Sequence, residues 1–327
     1  MSGKTGQNAI AERAAPSVNR HRWSIFVLIG LVLYLLVYLL SNQIVHEYGQ
    51  RNRLFMVATA PRQTYDFVIL GASHAMPLGF EDMNARLEGA TKSSVLNLSI
   101  EGGGIVPARF ILDYFLAGHS TKTVVYILDS FALYSSQWNE VRIDDPKLLK
   151  RAPFDPALPP FLWKYRAARE LLPGYLSGFY QINNQDRFEP DVSDMERNEF
   201  RRVYRANPYL DRQRFAYLYP GALDRAAFDR YLASFRELAT ELNGRGIRLI
   251  VIKPPLPGRV LSALTGEDDF NAQIRSILSE HGFEFRDFSG FANDDAYFFD
   301  TDHLNRAGVI NFVDNYLADV LRNGGHE

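Results

Sequence analysis

Five short apolar runs punctuate the chain, at Tyr65–Leu70, Val95–Ile100, Thr123–Leu128, Ile247–Ile252 and Phe283–Phe288. Each is bounded by turn or helix signals, which predicts buried β-strands. Stretches of helical character alternate with them at Gly79–Leu87, Pro107–Leu116, Ala226–Leu242 and Asn305–Leu321. In the third of these, Phe228, Leu232, Phe235, Leu238 and Leu242 recur at helical spacing before an Asn243-Gly244 stop. In the last, Ile310, Val313, Leu317 and Val320 share a face. Near-continuous apolar strands alternating with helices predict an α/β three-layer sandwich around a central five-stranded parallel sheet. Residues 137–220 break this rhythm with Pro, aromatic and charged positions. They are expected to form a largely helical insertion over one end of the sheet, its aromatics packing there, lining a cleft or facing a membrane partner.

The longest apolar run lies elsewhere. No charged residue occurs from Trp23 to Val45, 23 residues, enough to cross about 30 Å of hydrocarbon as a helix. A cleaved signal peptide would have a shorter core and a small-residue cleavage site, and Ser41-Asn-Gln-Ile-Val-His46 is a poor one. A buried core helix would show a polar face. The pattern therefore predicts a cytoplasmic tail (1–22), a transmembrane anchor (23–45), a juxtamembrane connector (46–64) and an α/β domain (65–327). Lys4, Arg13, Arg20 and Arg22 precede the span, whereas Arg51 and Arg53 follow it. That bias places the N-terminus in the cytoplasm and the main domain outside, periplasmic in a bacterial inner membrane.

Composition removes several functions. Lys+Arg 36 against Asp+Glu 38 gives a net charge of −2, without the basic excess a general nucleic-acid binder needs. The absence of cysteine excludes disulfides, thiolate metal sites and a cysteine nucleophile. The seven histidines show no H-x-x-x-H or H-x-H spacing, so no dedicated metal site is expected. No Walker or Gly-x-Gly-x-x-Gly motif opens a helix, so no nucleotide cofactor is expected either. Lys253, before Pro254-Pro255, is expected to shape the cleft floor, with phosphate binding as the alternative.

Four pieces carry chemistry. Gly71-Ala-Ser73-His74 puts a serine just past the first strand, where parallel sheets bind ligands; a helix cap is the plain alternative. Asn97-Leu-Ser-Ile-Glu-Gly102-Gly-Gly104 ends the second strand with glycines that let backbone N–H groups approach a ligand, or simply make a flexible turn. Asp129-Ser130 ends the third strand. Asp300-Thr-Asp302-His303 precedes the last helix. His303 can act as base to a serine, and a carboxylate three residues earlier can hold its second nitrogen. Asp302 competes for that role but, as the immediate neighbour, is expected to point away.

In this order the pieces resemble the SGNH (GDSL-like) hydrolase superfamily over about residues 65–135 and 225–321. Gly71-Ala-Ser73 looks like the nucleophile block, Asn97–Gly102 the glycine block and Asp300–His303 the Asp-x-x-His block. The resemblance implies a flavodoxin-like sheet order, a Ser73–His303–Asp300 triad and an oxyanion hole from the N–H groups of Ser73 and Gly102. It departs after the third strand, where the family's Gly-x-Asn-Asp is missing and Ser130 falls nearest the asparagine; Asn97 and Asn139 are the other candidates. With the anchor, the chain resembles the O-acetylation and D-alanylation accessory proteins of cell-surface polymers. The implied function is acyl transfer to an envelope glycan or polymer beside a multi-pass membrane acyltransferase. An esterase or deacetylase, or a non-catalytic assembly subunit, is the alternative.

Overall fold

The computed structural model describes residues 20–219, 224–291 and 294–323. Most of the expected cytoplasmic tail and Pro220, the end of the expected insertion, lie outside them.

The sheet is five-stranded with the order β2-β1-β3-β4-β5, and every pairing is parallel. The strands are β1 (Thr64–Gly71), β2 (Val95–Asn97), β3 (Ser120–Ile127), β4 (Arg248–Lys253) and β5 (Glu284–Asp287). This is the doubly wound order whose switch point lies between β1 and β3. Alternation along each strand feeds two cores. Val68, Leu70, Val124, Tyr126, Leu249 and Val251 face one layer; Ile69, Val125, Ile127, Ile250 and Ile252 face the other. Helices cover both faces, which is why the central strands read as unbroken apolar runs.

Helix α1 is Arg20–Tyr48, α2 Met83–Thr91 and α3 Ile105–Gly118; the short helices α4 (Pro159–Lys164), α5 (Leu172–Leu176), α6 (Phe179–Ile182) and α7 (Pro208–Leu218) follow. Then come α8 (Arg225–Gly244), α9 (Glu267–Ser279) and α10, which runs from Arg306 to Asn323 through a wide turn at Val313–Leu317. Core residues of α3, α8 and α9 fill the first layer, and those of α2 and α10 the second.

Three expectations need correction. The ladder of β2 stops at Asn97, although Leu98 and Ile100 still donate to the carbonyls of Ile69 and Gly71. β5 is a half-exposed edge, not a buried strand; its Arg286 pairs with Glu284 on the same strand. Helix α9 was not expected, because its apolar stripe (Phe270, Ile274, Ile277, Leu278) sits between densely polar positions.

Helix α1 is long and apolar enough to cross a membrane over His21–Tyr48, and almost none of it is buried. It outlasts the predicted span, and the connector after it is no loose tether. Arg53–Ala58 forms a helical turn capped by Asn52, with Leu54, Phe55 and Val57 buried against the domain.

Candidate active site

β1 delivers Ser73 through Gly71, whose φ of +147° and whose Cβ position 2.6 Å from the Ile127 carbonyl oxygen leave room only for glycine. Ser73 then opens a 3₁₀ turn, Ser73–Gly79. The strand-to-turn bend places its hydroxyl beyond the carboxyl edge of the sheet, beside the switch point.

From the C-terminal side, Asp300 accepts the backbone N–H groups of Asp302 (3.1 Å) and His303 (2.8 Å) on Oδ1. That local turn brings its Oδ2 to 2.8 Å from His303 Nδ1. Phe299 stacks on the imidazole at 5.4 Å and 7°. Asp302 Oδ1 lies further from Nδ1, at 3.3 Å, and its carboxylate is turned towards Arg214, whose Nε donates to both oxygens at 3.0 Å.

Ser73, Gly102, Asp300 and His303 line one cavity of about 130 Å³, joined by Trp138, Arg142, Met195, Arg214, Tyr217 and Leu218. The Ser73 hydroxyl makes no hydrogen bond to another described residue, and His303 Nε2 lies 3.3 Å from Arg214 Nη2. A guanidinium can only donate and a carboxylate can only accept. When the ring is neutral, this pair of partners selects the tautomer with the proton on Nδ1 and the lone pair on Nε2, that of a general base.

Gly102 sits at φ +60°, and a Cβ there would lie 2.7 Å from Arg142 Nη2 and 3.0 Å from Trp138. The amides of Ile100, Gly103 and Gly104 are bonded to Gly71, Ile100 and Trp138 carbonyls; that of Gly102 has no such partner among the described residues. The other oxyanion candidates are engaged elsewhere. Ser130 bonds the Tyr219 hydroxyl at 2.9 Å and Glu267 at 2.5 Å and does not line the cavity. Asn97 spans the Ala75 carbonyl and Ser99. Asn139 holds the glycine loop, accepting from Val106 N–H and donating to the Ala132 and Ser135 carbonyls. Lys253 is buried and is tied to Glu267 and Asn271, so its ammonium is already engaged within the fold.

The structure adds a second histidine that spacing did not flag. His74 Nδ1 lies 2.7 Å from Asp129 Oδ1, and Nε2 faces Asp302 Oδ2 at 3.3 Å without hydrogen-bond geometry. Its ring centroid is 4.9 Å from that of His303. Burial opposes the charged form of His74, but Asp129 and Asp302 outweigh it and push the imidazole up to about 10. Burial likewise opposes the charge on Asp302, and His303, Arg214 and His74 overcome it, driving the carboxyl far below its usual range. Asp300 is also lowered, burial being outweighed chiefly by His303. His74, Asp302 and His303 hold one potential ligand atom each within 4.8 Å of one another. Arg214 already serves as the cation against Asp302, so this donor set fits an internal ion network better than a resident metal. The only sequence signal for it was the pair of dipeptides Ser73-His74 and Asp129-Ser130 at adjacent strand ends.

No protein-family model matches the chain, and no curated protein matches it. Among solved structures, a Bacteroides fragilis protein described provisionally as an acylhydrolase matches at 12% identity and a TM-score of 0.43, covering 84% of this chain and 96% of that one. An overlap that loose does not bear on chemistry. The sheet order and the groups around the Ser73 cavity define the class instead: a doubly wound α/β domain with serine, histidine and aspartate at the switch point.

Proposed function

We propose that this protein is a membrane-anchored serine acyl-transfer enzyme of the extracytoplasmic face. The observation that carries the reading is the Asp300–His303 pair sharing one cavity with Ser73 and with Gly102, whose amide has no hydrogen-bond partner among the described residues. In the reaction, His303 Nε2 takes the Ser73 proton as Oγ bonds to the acyl carbon of an ester or thioester donor. The tetrahedral intermediate collapses as the donor's C–O or C–S bond breaks, and His303 returns the proton to the leaving group. An acceptor hydroxyl then loses its proton to His303 and attacks the acyl-serine; the acyl–Oγ bond breaks and His303 returns the proton to Ser73. Asp300 orients the ring and stabilises the imidazolium.

Arg214 takes the place of the missing asparagine. It lies in the same cavity, held by Asp302, and swings a charged donor towards the developing oxyanion once Nε2 turns to Ser73. An acceptor hydroxyl on an envelope glycan or polymer suits the surroundings. The cavity shares Glu101 and Arg142 with a cleft of about 340 Å³ whose lining includes Arg51–Leu54 and Lys147. That cleft opens next to the end of α1, within reach of a multi-pass membrane donor. If water is the acceptor, the same site is an esterase.

One observation favours a non-catalytic assembly role: Arg214, not Ser73, now occupies the Nε2 atom. Fluorophosphonate labelling of the detergent-solubilised chain, read by intact mass, separates the readings. Stoichiometric labelling that is lost in Ser73→Ala and His303→Ala is the expected result. A folded wild-type protein that stays unlabelled would favour assembly.

A further inference from the structure

Charged residues are missing not only from Trp23–Val45 of α1 but from Leu171 to Gln185 of the insertion. The two uncharged stretches meet. The Tyr34 hydroxyl donates to the Ser177 carbonyl at 2.7 Å, and Gly178, at φ +73°, packs so closely on Tyr38 that a Cβ would lie 2.1 Å from its ring. Phe154 meets Tyr38 edge-on at 6.4 Å. At 1.5 Å per residue, Tyr38 and Tyr34 lie roughly 10 and 16 Å short of Val45, where the apolar stretch of α1 ends on the domain side. A turn touching both tyrosines therefore sits at a depth where α1 is surrounded by lipid.

The chemistry of that turn fits such a depth. Leu176 and Phe179 flank it and are 51% and 55% exposed. Four of its amides are bonded internally: Ser177 and Gly178 donate to Pro173 and Tyr175 carbonyls, and Ile182 and Asn183 to those of Gly178 and Phe179. The Ser177 carbonyl is capped by Tyr34, from within the apolar helix itself. Backbone groups that enter hydrocarbon must be satisfied in this way. Further out, Phe188 lies edge-on to Tyr48 at 6.4 Å, with the Arg187 guanidinium 5.9 Å over its ring, an aromatic–basic pair suited to the headgroup level.

We propose that the α5–α6 turn is a monotopic wedge, seated in the domain-side leaflet of the bilayer against α1. The proposal rests on α1 spanning the membrane and is independent of the acyl-transfer reading. Its occupant is lipid, because the patch is continuous with the exposed face of the helix. The wedge would hold the domain at one height and tilt, so that the cleft beside Arg51–Leu54 faces the membrane surface.

The chain has no cysteine, so single nitroxide labels can be placed at Leu176→Cys, Phe179→Cys, Leu31→Cys on α1 and the exposed Ser279→Cys at the end of α9. The purified full chain is reconstituted alone in phosphatidylethanolamine–phosphatidylglycerol vesicles. Power saturation then compares accessibility to oxygen with that to a water-soluble nickel chelate. The wedge predicts oxygen-to-nickel ratios at Leu176→Cys and Phe179→Cys several-fold above Ser279→Cys and approaching Leu31→Cys. Ratios matching Ser279→Cys, with Leu31→Cys lipid-exposed, overturn the wedge and leave the anchor standing. A water-exposed Leu31→Cys overturns the anchor and the wedge with it.

Discussion

Two histidine–aspartate pairs stand side by side at the switch point, and they are built for different work. His303 opens on the Ser73 cavity. One nitrogen faces a carboxylate that is one-third exposed, and the other faces a donor-only guanidinium. His74 is sealed between Asp129 and Asp302, whose side chains are 6% and 1% exposed, and both its nitrogens face carboxylates. The first arrangement keeps a lone pair available for a proton. The second stabilises the imidazolium and makes His74 a fixed cation. In the proposed reaction the same residue type is a base or a structural charge according to what its second nitrogen meets.

The contrast can be broken most sharply at Asp300. Asp300→Asn leaves the fold intact but releases the Nδ1–H tautomer, and fluorophosphonate labelling should slow by about 10²–10⁴-fold. A labelling rate within a few-fold of wild type would show that Asp300 does not orient His303. His74→Ala attacks the other pair. It leaves buried Asp129 without its cation and Asp302 with Arg214 in place of two cations, and chemical denaturation should report a loss of about 3–5 kcal/mol. An unchanged midpoint would mean that His74 is not a buried charge.

The pH dependence sharpens the same point. The folded pKa of His74 is raised, so its contribution is fully present below the unfolded value near 6.5 and is lost as pH rises through about 10. Stability should fall across that window by an amount on the order of a few kcal/mol, and His74→Gln should flatten the slope. A wild-type slope retained in the variant would assign it to other groups. The smallest effect is expected at Ser130. Its hydroxyl serves Tyr219 and Glu267, so Ser130→Ala should leave the labelling rate unchanged while lowering the melting temperature slightly. A large loss of labelling would put Ser130 back in the oxyanion hole.

How much of this was legible follows from how each feature is encoded. The central strands were, because both faces of a parallel sheet are buried and the apolar runs are continuous. β5 read as buried although it lies at the edge, since Phe283 and Phe285 pack on one core while the intervening polar residues face solvent. Asp300 and His303 were legible because three-residue spacing makes their contact local. His74, Asp129 and Arg214 formed no pattern: they come from the ends of β1 and β3 and from α7, and only packing brings them to Asp302. Ser130 was drawn in by its place after β3, but one residue along a turn reverses where a side chain points.

By itself the sequence determined what depends on near neighbours: the apolar span of α1, the strand–helix alternation, the glycine bends at Gly71 and Gly102, and the Asp300–His303 turn. The tertiary structure decided which carboxylate each histidine meets, that Arg214 from the insertion enters the site, and that the α5–α6 turn lies against Tyr34 and Tyr38. These depend on the relative placement of segments far apart in the chain. Local periodicity cannot encode that placement, because it is fixed only when both faces of the sheet are covered and buried charges must find partners.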